Sequence, residues 1–314
     1  MRHSFNIGVV GVGMVGTPLA RYFAEHKGYR RGKELFLFDI NPEKNYGDDV
    51  GKADIIFICV PTPSAKDGSC DLSYVTSAVK RVGGSKIIVI KSTVPPGTTE
   101  LFQKKYPRHK LLFNPENLTE RSAWNDFIRP DAQIVGFTGG SKDAAMPVLQ
   151  LLPKASFMSP WGRGTYQRTE ITATEAEIIK YARNVHFARK VNLANILATL
   201  AEKLEADYDN VRLGMSADFR IGDSHLDVTH GGYRGFGGYC LPKDLDAFIS
   251  ALKKVDLKGA VSLLEQDREF NRRLLASQGL TLDDVSVHNT EWVRRRAKKY
   301  AVLASGRRGK IRSK

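Results

Sequence analysis

The chain has few cysteines, only Cys59, Cys70 and Cys240 in 314 residues. An odd, sparse set cannot build a disulfide framework and suits a reducing compartment. Long hydrophobic runs are missing too, since no stretch approaches the roughly 20 apolar residues that span a bilayer. Nor does a charged, apolar leader open the sequence: Phe5 to Val10 is strand length and runs straight into a glycine loop. Acid is absent from the last stretch, where Arg294, Arg295, Arg296, Lys298, Lys299, Arg307, Arg308, Lys310, Arg312 and Lys314 leave only +4 of the net +14 for the rest of the chain. These absences argue against a membrane span, a secreted disulfide scaffold and a basic surface spread over the whole molecule. What they leave is a cytoplasmic protein of two domains with ample core. The tail reads as a solvated, partly disordered terminus or as an electrostatic arm for nucleic acid, a membrane surface or an acidic partner.

What is present is punctuated. Ile7 to Val10 is an apolar, β-branched run entering Gly11-Val12-Gly13-Met14-Val15-Gly16, and Thr17 to Glu25 leaves it with helical character. In that setting Gly11 makes a tight turn, Gly13 lets a pyrophosphate approach the backbone and Gly16 packs helix on strand. The phosphates then meet the positive end of the helix dipole. A second strand, Glu34 to Phe38, ends at Asp39, 23 residues beyond Gly16. An acid there accepts hydrogen bonds from a ribose and repels a 2′-phosphate, so the pattern predicts NAD rather than NADP.

Further strands are predicted at Asp54 to Val60, Lys86 to Lys91, Leu111 to Phe113 and Gln133 to Gly136, with a helix over Asp71 to Val82. Near-continuous apolar strands with helical crossovers imply a doubly wound parallel sheet, an α/β fold of Rossmann type. Between Thr172 and Ala206 there is neither proline nor glycine, and apolar residues recur at helical spacing. One long central helix is expected, exposing more apolar surface than a small domain covers, and hence a homodimer. Lys180 and Asn184, four apart, share one of its faces. Helices are also predicted at Val211 to Arg220 and Pro242 to Lys254, flanking the loop Gly222 to Gly238. The domains expected are residues 1–170, a dinucleotide-binding domain; 171–275, the central helix and a small helical dimerisation domain; and 276–314, the basic tail.

The run Gly235-Phe-Gly-Gly-Tyr-Cys-Leu-Pro-Lys-Asp244 sets one cysteine in a glycine-rich turn. A thiol is a useful nucleophile as thiolate, a form that nearby positive charge and backbone N–H groups favour. The same run also reads as a tight turn around a small hydrophobe. No metal site is expected.

Taken in order, several blocks carry a resemblance. They are Gly11 to Gly16, Val60-Pro-Thr-Pro63 with Asp67 to Ser73, Lys91 to Thr98, Asn114-Pro-Glu-Asn-Leu-Thr-Glu120, Glu175 to Asn184, Phe219 to Gly222 and Gly235 to Asp244. Over residues 5–250 the chain resembles the UDP-glucose/GDP-mannose dehydrogenases. The resemblance implies a two-step, four-electron oxidation of a sugar C6 alcohol to a carboxylate with two NAD. It makes Cys240 the nucleophile that captures the aldehyde, with Lys180 and Asn184 at the C6 oxygen and Asp244 supporting the acid–base steps. Glu116 with Thr93 would activate water. Gly11, Gly13, Met14, Val15, Gly16, Asp39, Pro61, Thr62, Thr93 and Lys243 would hold the cofactor. Glu116, Asn117, Leu118, Glu120, Lys180, Asn184, Arg220, Phe236 and Gly237 would face a nucleotide-sugar substrate.

Two departures stand out. The stretch after about residue 250 is too short for the family's third, nucleotide-gripping domain, and the connection from Asp39 to Asp54 is short enough to have lost a helix and an edge strand. Two other readings stay open: a dehydrogenase of a small β-hydroxy acid, since Lys-x-x-x-Asn on a central helix occurs there too, and a weak relative that binds NAD and a partner.

Overall fold

The computed structural model describes residues 3–119, 122–160, 170–229 and 231–286. It divides into two compact units, Met1–Ala182 and Arg183–Lys314.

The first unit is a parallel sheet covered on both faces. Strands β1 (Ile7–Val10), β2 (Leu35–Phe38), β3 (Ile55–Ile58), β4 (Ile87–Ile90) and β5 (Lys110–Phe113) pair in parallel in the order β2-β1-β3-β4-β5. The alternation of side chains explains why these strands read as unbroken apolar runs. Ile7, Val9, Ile55, Phe57 and Val89 point into one buried cluster, while Val10, Ile56, Ile58, Ile88 and Ile90 point into the other. Helix α1 (Gly16–Glu25) covers the first face through Leu19 and Phe23, with Phe127 of α4 (Ala123–Ile128) and Val148 and Leu149 of α5 (Lys142–Leu151). The second face takes Val75 and Val79 of α2 (Ser73–Arg81) and Phe102 of α3 (Thr98–Lys105).

The sequence expectation fails at one strand. Instead of one strand at Gln133 to Gly136, the chain breaks at Val135. Strand β6 (Ala132–Ile134) pairs with β8 (Phe157–Ser159) in a separate two-stranded sheet, and β7 (Gly136–Phe137) joins β5 antiparallel at the edge of the main sheet. Val135 donates its N–H to Ser159, so the crossing residue stays paired. The short stretch between β2 and β3 holds two 3-10 turns, Pro42–Lys44 and Val50–Lys52. Each is capped by a side chain, Asn41 and Asp49 respectively.

Helix α6 (Ala173–Lys203) is the long helix read from the sequence, 31 residues. Its first turns belong to the first unit, where Ala173 and Ala176 join the second core cluster. Glu177, fully buried, accepts hydrogen bonds from the N–H groups of Gly97 and Thr99 and from the Thr99 hydroxyl, which satisfies open donors at the start of α3.

In the second unit, α7 (Tyr208–Ser216) begins and ends earlier than expected, because Asp207 caps it by accepting from the Asp209 N–H. Helix α8 (Cys240–Lys254) packs on α9 (Lys258–Ala276), which the sequence reading missed. Their core combines Leu245, Ile249 and Leu264 with Val185 and Ala188 of α6. A single turn, α10 (Leu282–Val285), follows behind a capping box at Thr281 and Asp284. Residues 287–314 lie outside the described residues, and with them all ten bases of the tail.

Burial pushes the Glu177 carboxyl up to about 7, although the bonds from Thr99 and Gly97 pull it down. Between its ordinary value of 4.5 and about 7 the folded chain holds a proton that the unfolded chain has released. Stability from this group therefore falls as pH rises through that window, by up to about 3 kcal/mol. In urea unfolding, the stability of wild type minus that of Glu177→Gln should shrink between pH 5 and pH 7. A constant difference would mean that Glu177 titrates as an ordinary carboxylate.

Candidate active site

Both sheet faces are apolar along the strands, so the polar residues singled out by the sequence lie where the strands end. After β1, Gly11 adopts φ +88°, and a Cβ there would lie 2.7 Å from the Cys59 carbonyl oxygen. A Cβ on Gly16 would collide with the Gly11 carbonyl, whereas Gly13 faces open space. That geometry fits a dinucleotide: a tight turn, an unobstructed approach for phosphate and α1 beginning at Gly16. Met14 and Val15 complete the loop and are half-buried.

Asp39, at the tip of β2, accepts from the Val12 N–H at 2.8 Å, the Asn41 N–H at 2.9 Å and the Lys44 ammonium at 2.9 Å. Burial alone would raise its pKa; the bonds from Lys44, Asn41 and Val12 outweigh burial and hold it below the usual carboxylate value. Lys44 also donates to the Val12 carbonyl at 3.1 Å, so it clips the glycine loop to Asp39. The sequence reading passed over Lys44 because only the fold brings residues 12, 39 and 44 together.

Beyond β3, Pro61 is exposed and Thr62 buried. Following β4, Lys91 is buried and Thr93 half-buried, its carbonyl accepting from the Cys70 thiol at 3.6 Å. Glu116, beyond β5, is buried and accepts the Leu118 N–H at 2.7 Å, while Asn117 and Leu118 are half-buried. Glu120 lies outside the described residues. On α6, Lys180 is 6% exposed and has no hydrogen bond or ion pair among the described residues.

The second unit holds the cysteine. Cys240 is the first residue of α8, where the helix dipole favours negative charge, and none of the three cysteines is in a disulfide. One turn on, Asp244 is fully buried and accepts from the Asn184 amide at 2.5 Å and from the Lys243 ammonium. The acid thereby fixes which end of the Asn184 amide donates. Lys243 also lies 6.0 Å from the Tyr239 ring.

Two amide side chains, Asn271 on α9 and Gln278 in the turn that follows it, clamp the loop before Cys240. Asn271 accepts the Phe236 N–H at 2.7 Å and donates to its carbonyl at 3.0 Å. Gln278 does the same for Arg234, at 2.8 and 2.9 Å. Each acts as one rung of a β-ladder. Phe236 itself belongs to the core, with its ring in the α8–α9 cluster. A Cβ on Gly237 would lie 2.8 Å from Val285 and collide with the Tyr233 hydroxyl, so only glycine fits against α10. Arg220 is exposed and forks onto Asp218. Asn271 and Gln278 carried no sequence signal, since the backbone groups they hold lie 35 and 44 residues away in the chain.

Two outcomes follow from these contacts. Asp39 should give NAD about a tenfold advantage over NADP, roughly 1.4 kcal/mol. Lys44→Ala should widen that ratio by removing the cation beside the acid, as initial rates with each cofactor would show; equal use of both by wild type would overturn the Asp39 assignment. Asn271→Asp sets a carboxylate oxygen against the Phe236 carbonyl and should cost about 1–3 kcal/mol in urea unfolding. Gln278→Glu, at a half-buried position, should cost less.

Comparison with known proteins agrees with this geometry. Residues 42–150 match the NAD-binding domain of the UDP-glucose/GDP-mannose dehydrogenase family, and residues 174–273 match its central domain. A UDP-glucose 6-dehydrogenase of Rickettsia bellii is 32% identical over 85% of this chain and 59% of its own length. One from Pseudomonas aeruginosa is 32% identical over 78% of this chain and 61% of its own. The chain thus spans about three fifths of the length of these relatives. A UDP-glucose dehydrogenase structure from Pyrobaculum islandicum superposes with a TM-score of 0.72 at 30% identity, covering 88% of this chain and 71% of that one. The cofactor is NAD, and the chain belongs to the UDP-glucose/GDP-mannose dehydrogenase family.

Proposed function

We propose that this chain oxidises the C6 alcohol of a nucleotide sugar to the carboxylate, UDP-glucose to UDP-glucuronate being the first substrate to test. One observation carries the reading: Cys240 opens α8 behind a clamped glycine loop, with buried Asp244 one turn on holding the Asn184 amide. A β-hydroxy acid dehydrogenase needs no such nucleophile. Bound NAD supplies the hydride acceptor, and the glycine loop, Asp39 and Lys44 would hold it.

In this scheme Lys180 and Asn184 stabilise negative charge at O6 during the first oxidation. A buried ammonium with no fixed partner among the described residues suits that task. The Cys240 thiolate then adds to the C6 aldehyde to give a thiohemiacetal, and loss of a second hydride leaves a thioester. Water attacks the thioester carbonyl and passes its proton to Glu116, with Thr93 helping to place the water. The C–S bond breaks, and the cysteine leaves as thiolate.

The assembly is proposed to be a homodimer. Leu193, Ile196 and Leu200 form an exposed apolar stripe at helical spacing on α6, Leu204 is exposed just beyond its end, and Leu213 and Phe219 are exposed close by in sequence. The domain limits proposed are those read from the sequence, at about residues 170 and 275.

With UDP-glucose, wild type should yield two NADH per sugar. Cys240→Ser should still bind NAD but oxidise the alcohol slowly or stall at the aldehyde or an ester-like adduct; release of sugar acid at wild-type rate would show the cysteine to be structural. Lys180→Ala should lose about 100-fold or more in rate. Leu200→Glu should convert a dimer to a monomer by light scattering, and a wild-type monomer at micromolar concentration would sink the dimer.

A further inference from the structure

Lys91 follows β4 inside the first unit, 4% exposed, and the scheme above gives it no task. Its ammonium donates to the Asn114 side-chain oxygen at 2.6 Å. That oxygen is the end left over, because the Asn114 amide nitrogen is committed to Gln133 at 2.9 Å and to the Ile134 carbonyl at 2.6 Å. Gln133 in turn donates to the Pro153 carbonyl at 3.3 Å, so a chain of amides fixes the lysine. The Lys91 nitrogen then stands 3.6 Å from one Glu116 oxygen, while the other Glu116 oxygen accepts the Leu118 N–H.

We propose that Lys91 is a positioning residue that holds Glu116 in its ionised form for the activation of water. The role rests on the oxidation proposed above and names what makes its last step possible. A general base must be ionised to take a proton from water. Removing a carboxylate from water costs several kcal/mol unless a counter-charge is at hand. Among the described residues, the charged and titratable groups around Glu116 are Lys91 after β4 and Cys59 after β3. Burial pushes the Cys59 thiol up to about 12, with Lys91 pulling it down and Glu116 pushing it up, so Cys59 is neutral and offers no competing anion. Phe127 of α4, whose ring centroid lies 6.0 Å from the ammonium, excludes water from the lysine side.

The test replaces Lys91 by Met, by Gln, which keeps a donor toward Asn114 without the charge, and by Arg, which keeps the charge. Glutamate labelled with carbon-13 at the side-chain carboxyl reports ionisation directly, with Glu116→Gln assigning the signal. Both neutral variants should move the Glu116 titration to higher pH by about one unit or more, and Lys91→Arg should not. In single-turnover runs the same variants should hydrolyse the Cys240 adduct about tenfold more slowly on the acid side and recover as pH rises. A Glu116 titration that stays in place in whichever neutral variant folds, with only the melting temperature lowered, makes Lys91 structural and overturns the role. The NMR titration does not need turnover, so a titration that moves while wild type forms no Cys240 adduct leaves the ion pair standing and condemns the oxidation reading instead.

Discussion

Burial of both faces of the parallel sheet is the constraint on which the rest of the first unit depends. Apart from Lys110 at the start of β5, the side chains of the five parallel strands fall in one of two apolar clusters, so a polar group along them would be costly. Chemistry is thereby driven to the carboxyl ends of the strands. Val12 and the glycine loop follow β1, Asp39 follows β2, Thr62 follows β3, Lys91 and Thr93 follow β4, and Asn114 and Glu116 follow β5. The order of these residues along one edge is the order of the strands.

Those polar groups survive in dry surroundings because each is bonded in a fixed sense. Asp39 is held by two backbone N–H groups and an ammonium, and Glu116 by one of each. In the second unit Asp244 has no exposure at all and gathers the Asn184 amide and the Lys243 ammonium. Fully satisfied networks of this kind fix geometry as well as stability, since breaking one partner strands the other in low dielectric. Lys180 differs: it is buried and has no hydrogen bond or ion pair among the described residues.

The loop that leads into Cys240 is held by groups far along the chain. Asn271 and Gln278 imitate a neighbouring strand, and Val285 of α10 takes the Gly238 N–H at 2.7 Å. The anchor points thus lie 30 to 45 residues beyond the cysteine in sequence, on elements that bear none of the family's motif residues. Truncation of the chain inside α9 would remove these anchors while leaving every motif intact.

Much of this was legible without coordinates. The glycine loop, Asp39, the apolar strands and the helix without proline or glycine each announce themselves through local chemistry: turn geometry, period and propensity act over a few residues, so the sequence alone determines them. The ordered motif blocks added the family. The reading failed where the decisive interaction was long-range. The split of Gln133 to Gly136 between two sheets, the helix Lys258–Ala276, the clip of Lys44 onto Asp39, the pairing of Lys91 with Glu116 and the clamp of Asn271 on Phe236 all depend on neighbours far away in the chain. Hydrophobic pattern says which face is buried but not what lies against it. Partners for buried polar groups are chosen only when the chain has closed around them, which is why tertiary structure alone decided them.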